Sequence, residues 1–363
     1  MGMPLHTESG TSRDKTVYGK AGRELLEGVV YRNLGAKRSD VIKGPGRGLD
    51  NAVIGLGGKR VMILTVDPVS VIPSLSMELS GWMSVHLIAS DYATSGLRPE
   101  YATFSFNFPP ELSDADRKEY VQSVGEECRR LGITIAAGHT GSYPGAGFTV
   151  IGAGSMFGFG RRGGFVDPSM ARPGDAILMT KQAGIEATAS LALSFPRYVE
   201  GKVGRLRASR AKKLVRSCST VTDALTAARI GLGRGGITSL HDATEGGVLG
   251  GLEEMAYASG TAFHVNEGRI NVSEEVGAVC GAFGLDPLDS LSEGTLLVTC
   301  NPGRINDLKD EFAGSGIPIR EIGSVRDGAG LWVAKGGGHP KRTEPGADRY
   351  WAAYRDAIDA GLR

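Results

Sequence analysis

Two short apolar runs, Ala52-Val53-Ile54-Gly55-Leu56 and Val61-Met62-Ile63-Leu64-Thr65-Val66, constrain the fold of this chain more than any other feature. Each is a continuous apolar run rather than an alternation, which is the pattern of strands covered on more than one face. Left at a sheet edge, such strands invite association. The sequence therefore predicts a dimer formed through the N-terminal part of the chain.

Around these runs the chain reads as mixed helices and strands. A short helix is expected from Gly22 to Tyr31, and "RVMILTV" is expected to stop at Asp67-Pro68. Trp82, Val85, Ile88, Ala89 and Tyr92 keep helical spacing, and residues 102–108 alternate as a strand. Ser113 and Asp116 read as a capping box opening a helix with Val121, Val124, Cys128 and Leu131 on one face. "ITIAAG" and "FTVIGAGSMFG" are further strands. Arg161 to Asp175, rich in Arg, Gly and Pro, marks a domain boundary. Beyond it come a strand at 176–180, helices at 184–194 and 209–230, a strand before His241, the strand "TLLVTC" and a linker over 336–348. A last helix sets Tyr350, Tyr354 and Ile358 on one face. The parts are an extension (1–37), two domains (38–165 and 170–335), and a linker with C-terminal helix (336–363). Strict βαβ alternation is missing in both halves, so the class is α/β in the α+β sense.

Composition excludes several functions. A net charge of +1 gives no electrostatic case for nucleic acid or an anionic membrane. No apolar stretch is long enough to span a bilayer, and residues 1–30 lack a signal-peptide core. Cys128, Cys218, Cys280 and Cys300 stand far apart without a CxxC pair, so neither a zinc site nor a disulfide framework is indicated. A cytoplasmic protein is expected.

Three carboxylates stand where elements end or need partners: Asp50 before a strand, Asp67 after one, and Asp91 in an otherwise apolar helix. Hard oxygen ligands of this kind suit Mg²⁺, although each taken singly could be a turn or cap residue. The loop Lys43-Gly44-Pro45-Gly46-Arg47-Gly48 could bring backbone N–H groups and positive charge to phosphates. It lacks the GxxxxGK[ST] of a Walker A loop, and a mobile basic loop would look the same. His139 lies between glycines in "AAGHTGSYPGAG", where a loop could place it beside the carboxylates.

The stretch His241-Asp242-Ala243-Thr244-Glu245-Gly246-Gly247 leaves two readings open. Asp242 could be a helix N-cap with Glu245 closing a capping box. Alternatively the glycines at 246, 247, 250 and 251 let a packed neighbour or a ligand approach the backbone, because Gly in the first turns otherwise costs about 0.5–1 kcal/mol each.

In order, these segments resemble the aminoimidazole ribonucleotide (AIR) synthase-like, or PurM-like, superfamily of ATP-dependent enzymes. "LDNAVI" resembles its Gly-Asp-Asp-Ala-Ala stretch, "LTVDPV" its Thr-Thr-Asp strand end, and "ASDYATSGLRPEY" its Asn/Ser-Asp helix. "AAGHTGSY" sits where the family has Gly-Asp-Thr, and "RPGDAILMTKQAG" looks like the start of its second domain. "HDATEGGVLGGLEEMA" and "LSEGTLLVTC" are most similar to the hydrogenase-maturation (HypE) branch. The resemblance implies a two-domain fold and a homodimer pairing its N-terminal sheets in a barrel-like core. It also implies ATP with Mg²⁺ and attack of an amide or carboxylate oxygen of a small substrate on the γ-phosphate. It assigns ATP contacts to Lys43, Gly44, Gly46, Arg47, Asn51 and Thr140. Asp50, Asp67, Asp91 and His139 become metal ligands, and Asp242 and His241 catalytic residues.

The chain departs from the family pattern at four places. Asn51 replaces an Asp, Glu245 replaces an Arg, and His139 replaces an Asp, which admits Mn²⁺ as well as Mg²⁺. The C-terminal cysteine of the hydrogenase-maturation proteins is missing. A thiamine-monophosphate-kinase-like phosphotransferase and a nucleotide-binding metallocentre-assembly factor with little turnover remain as alternatives.

Overall fold

The structure, a computed structural model, describes residues 19–363. It divides into a short unit ending at Gly35 and a large unit, Ala36–Arg363. In the short unit, helix α1 (Arg23–Gly28) is followed by a 3-10 turn, and Arg23 pairs with Glu27 at 2.9 Å. Residues 1–18 of the expected extension lie outside the described residues.

The large unit holds two sheets. The first contains β1 (Val41–Lys43), β2 (Ala52–Gly55), β3 (Arg60–Ser70), β4 (Tyr101–Phe108), β5 (Thr134–Ser142) and β6 (Val150–Arg161). Their order is β1-β2-β3-β6-β4-β5, antiparallel except for the β4–β5 pair. Helices α2 (Met77–Ala93) and α3 (Asp114–Leu131) belong to this half, with α2 against β3 and β6 and α3 against α2. Val61 and Ile63 of β3, Phe104 and Phe106 of β4 and Ile88 of α2 share its core. The opposite face carries Met62, Leu64, Val66, Phe157 and Phe159, with Met62 opposite Phe159 and Leu64 opposite Phe157; Val66 is 62% exposed.

The second sheet runs β13-β12-β9-β11-β7-β10-β8. Its strands are β7 (Ala176–Thr180), β8 (Ile237–Ala243), β9 (Ala262–Asn266), β10 (Thr295–Cys300), β11 (Ile319–Arg326), β12 (Gly330–Ala334) and β13 (Lys341–Thr343). Every residue of β7, β8 and β10 is buried, as expected of strands covered on both faces. Its helices are α4 (Ile185–Ser194), α5 (Pro196–Val203), α6 (Arg205–Lys213), α7 (Val221–Ala228), α8 (Gly247–Ser259), α9 (Glu274–Ala282), α10 (Ile305–Ser315) and α11 (Tyr350–Asp359). One continuous core joins the two sheets, running from Ile63 and Phe104 to Leu178, Leu240 and Leu296.

Several expected boundaries move. β3 passes through Asp67-Pro68 to Ser70. β2 pairs with β3 only over Val61–Leu64, so beyond Leu64 β3 has no strand on that side among the described residues, and such an edge tolerates a residue without an N–H. The helix expected over 209–230 is two, because Ser217 and Ser219 give their carbonyls to Lys181 and Thr220 gives its N–H to Ser90. α5, absent from the sequence reading, starts with Pro196 in its first turn. In α3 Val121 is exposed, and Tyr120, Val124 and Cys128 face inward. In α11 Ile358 is exposed, whereas Tyr350 and Ala357 are buried. The stretch read as a linker contains β13, paired with β12.

Candidate active site

The second sheet delivers the centre of the site. His241 and Asp242 are consecutive residues of β8, held in register opposite Leu297 and Leu296 of β10. The N-cap reading of Asp242 is therefore wrong. α8 begins five residues later, and its N-cap is Gly246 at φ +84, which has no side chain of its own to cap with. A spacing of three residues between carboxylates looks the same in a capping box and at a strand end, and here the β8–β10 ladder claims the backbone.

The glycines of this turn serve packing. A Cβ on Gly247 (φ +63) would lie 2.7 Å from the Leu288 carbonyl oxygen, and one on Gly251 would lie 2.8 Å from Leu297. The amides of the turn are also taken. Gly246 donates to Asp348 at 3.0 Å and Leu249 to the Leu288 carbonyl at 3.0 Å, so this helix end is closed by protein groups. Glu245 accepts from the Trp351 indole at 3.0 Å, which ties α11 to the same turn.

His241 bridges the two halves. Its Nδ1 lies 2.9 Å from the Asp50 carboxylate, ahead of β2, and its Nε2 lies 3.2 Å from Glu254 of α8. Burial alone would lower the imidazole's affinity for a proton. The charges and hydrogen bonds of Asp50 and Glu254 override it and hold the pKa at about 10. Asp50, His241 and Asp242 are close enough to share a cation, with donor atoms within 4.8 Å of one another. Both ring nitrogens of His241 already face carboxylates, Nδ1 toward Asp50 and Nε2 toward Glu254, whereas the oxygens of Asp242 have no hydrogen-bond partner.

Asp242 is fully buried, and neither carboxylate oxygen has a hydrogen-bond partner. Burial, then the charge of Asp50, and also Asp67, push its pKa up to about 7 against the opposing pull of His241. Glu293, in the turn before β10, is 7% exposed with Oε2 unpartnered. Burial raises it well above the carboxylate range, reinforced by Asp242, Glu186, Asp91 and Asp67. Glu186 of α4 is pushed to about 8 by burial and then by Glu245, Asp348 and Asp67. The sequence reading missed Glu293 and Glu186. The signal for Glu293 was present in "LSEG", quoted there only for its resemblance.

The remaining candidates divide. Asp67 lies in β3 opposite Gly154, and Asp91 in α2, where Thr65 Oγ1 stands 3.4 Å from its carboxylate. Asn51 is buried, with its amide nitrogen donating to the Asp91 carbonyl (2.7 Å) and to Thr94 (2.9 Å); its Oδ1 has no partner. The basic loop is pinned within the chain. Lys43 donates to Ser169 at 2.5 Å and lies 3.8 Å from Asp167. Arg47 pairs with Glu253 at 2.6 Å and covers the Tyr257 ring. Gly44 and Gly46 lie between these anchors, and Gly48 meets the Glu254 carbonyl too closely for any side chain. His139 and Thr140 are not in a loop but in β5, opposite Ser105 and Phe106. The His139 ring is exposed and 2.6 Å from the Tyr143 hydroxyl. The structure thus brings Asp50, Asp67, Asp91, Asp242 and Glu293 into one electrostatic group and leaves His139 on an outer strand.

Two sheets sharing one core, with an acidic group on their seam, define a two-domain α+β protein of AIR synthase-like architecture. The chain belongs to the AIR synthase related family: the family's N-terminal domain matches residues 48–159 and its C-terminal domain residues 172–334. It is 28% identical over 330 residues to the carbamoyl dehydratase HypE of Cupriavidus necator, covering 89% of this chain and 88% of that protein. Among solved structures it is similar to hydrogenase maturation protein HypE in complex with ATP. That likeness has a TM-score of 0.63 and 24% identity, over 92% of this chain and 97% of that one. It is also similar to AaThiL complexed with AMPPCP and TMP, with a TM-score of 0.69 and 20% identity over 91% and 99%. At these identities the structural likenesses establish the fold.

Proposed function

We propose that this chain is an ATP-dependent enzyme that transfers the γ-phosphoryl group of Mg-ATP to an amide- or carboxylate-type oxygen of a small molecule. The observation that carries this reading is that the acidic group and its neighbour Asn51 hold buried oxygens without partners: both of Asp242, Oε2 of Glu293 and Oδ1 of Asn51. Buried carboxylates left unpaired are costly, and a bound cation removes the cost. Oxygen-only donors fit Mg²⁺. Asp50, Asp67, Asp91 and Asp242 would hold it, and it would neutralise charge on the transferring phosphoryl group.

The chain's own residues do the rest. His241 keeps Asp50 and Glu254 in place as a doubly hydrogen-bonded cation. Glu293, buried in the same acidic group with Oε2 unpartnered, would join these carboxylates in facing the bound Mg-ATP. Relatives named as carbamoyl dehydratases favour a carboxamide over a thiamine phosphate as substrate. A nucleotide-binding assembly factor with little turnover is the second reading, favoured by Asn51, whose amide is spent on Asp91 and Thr94. Four cysteines free of disulfides agree with a reducing, cytoplasmic setting, and the apolar open face of the first sheet agrees with a homodimer.

Saturating Mg-ATP is expected to raise the melting temperature, with stabilisation of about 2.7 kcal/mol at 100 times Kd. ATP hydrolysis should rise when carboxamide substrates are supplied. No thermal shift and no calorimetric signal with Mg-ATP would end this reading, whereas binding without stimulated hydrolysis would favour the assembly factor.

A further inference from the structure

Among the described residues, one non-glycine has a positive φ: Lys181, at φ +51, just after β7. Glycine is the residue that takes this backbone region without strain, and here a lysine holds it. The backbone is fixed on both sides: its N–H donates to the Pro318 carbonyl at 2.8 Å, and its carbonyl accepts from Asn271 at 3.1 Å. The side chain turns inward. Its ammonium donates to the carbonyls of Ser219 (2.7 Å) and Gly294 (2.8 Å), approaches that of Ser217 (3.4 Å), and pairs with the buried Asp223 at 3.0 Å.

Gly294 follows Glu293 directly. At φ +98 it is pressed so closely on the Ser217 carbonyl that a Cβ would overlap it. The same segment grips the turn at two more points, where Ser292 accepts from the Gly184 N–H at 2.8 Å and Thr295 donates to the Gln182 carbonyl at 2.5 Å. We propose that Lys181 is a positioning residue: its ammonium fixes the Ser292-Glu293-Gly294 turn, and with it the direction in which Glu293 presents its carboxylate to the seam. The inference rests on the functional reading above, in which Glu293 belongs to the cation- and nucleotide-binding group.

The test is calorimetric titration of the full chain with Mn²⁺–ATP, using Lys181→Gly, Lys181→Met, Lys181→Arg and Glu293→Gln. Glycine relieves the backbone and removes the ammonium, so any loss it shows does not come from strain. The Gly and Met variants are expected to lose on the order of 10-fold in affinity, as when a partner behind a ligand is removed, while Arg retains most of it. Adding Lys181→Met to Glu293→Gln should cost nothing further; a merely structural lysine would make the two losses add. Folded Gly and Met variants that bind like the wild type would overturn the Lys181 inference alone. A wild-type chain that binds no Mn²⁺–ATP would overturn the functional reading, and this role with it.

Discussion

Asp242 and His241 show how two neighbours on one strand acquire opposite habits. His241 finds a carboxylate for each nitrogen and keeps its proton; Asp242 finds no partner for either oxygen and takes one up. Both shifts act on stability with the same sign. A group that binds its proton more tightly when folded stabilises fully below its unfolded pKa and loses that contribution as pH rises through the folded one. For Asp242 the loss runs from its ordinary 3.8 to about 7, for Glu186 from 4.5 to about 8, and for His241 from 6.5 to about 10. With a chelator present, the melting temperature should therefore fall as pH rises from 5 toward 8. Asp242→Asn should flatten that fall and, at pH 8, stabilise the protein by an amount on the order of a kcal/mol or more. The same variant should bind Mg-ATP more weakly. A flat wild-type profile in chelator, or an Asn variant that melts lower than wild type at pH 8, would contradict a buried, unpaired carboxylate here. The sequence showed Asp242, Asp50, Asp67 and Asp91 as carboxylates at revealing positions. It concealed Glu186 and showed Glu293 only through the resemblance of "LSEG", because what makes both unusual is burial among acids contributed by distant strands and helices. It also concealed the conformation of Lys181, since lysine carries no sequence signal for a left-handed backbone.

At the scale of elements, the passage from β8 into α8 was half legible. Val248, Leu252, Met255 and Ala256 recur at helical spacing in the sequence and are buried on one face of α8. The start of the helix was misread, because a cap and a strand end present the same residues. Of the four glycines read as sites of close approach, Gly247 and Gly251 are such sites, against the 288–290 loop and β10, whereas Gly246 and Gly250 meet only their own turn at 3.4 Å. Two Gly→Ala substitutions separate this from generic helix propensity. Gly247→Ala must take a left-handed backbone and push on Leu288 and Ser290, so denaturant unfolding should show a loss of roughly 1–3 kcal/mol. Gly125→Ala lies inside α3 with nothing within 4 Å of the new methyl, and should gain about 0.5–1 kcal/mol. Similar small effects at both positions would mean that α8 has room to shift at its start.

At the scale of the molecule, the two faces of the first sheet differ within the large unit. α2 covers Val61 and Ile63, while Met62, Leu64, Val66, Phe157 and Phe159 stand on the opposite face, against which no described helix of the large unit makes a substantial packing contact. The edge strand β5 adds residues exposed along almost its whole length. A long exposed edge beside an apolar face is a surface that proteins ordinarily cover. The continuous apolar runs at Ala52–Leu56 and Val61–Val66 made a dimer the expectation from sequence, because strands apolar on both faces call for two layers of cover. A second copy meeting this face would give each sheet its missing layer and bring a second β5, with its exposed His139, to the interface. Light scattering at micromolar concentration should then give a mass near twice the 38.1 kDa of the chain. Phe159→Asp, which places a charge on the open face away from the acidic group, should shift the mass toward one chain and lower the melting temperature. A stable interface needs roughly 1,000 Å² or more of buried surface, and a single charge at its apolar centre is enough to weaken it. A wild-type monomer at that concentration would remove the paired-sheet arrangement and any part His139 has in a shared site, while leaving the seam between the two sheets, with Asp242 and Glu293, as it stands.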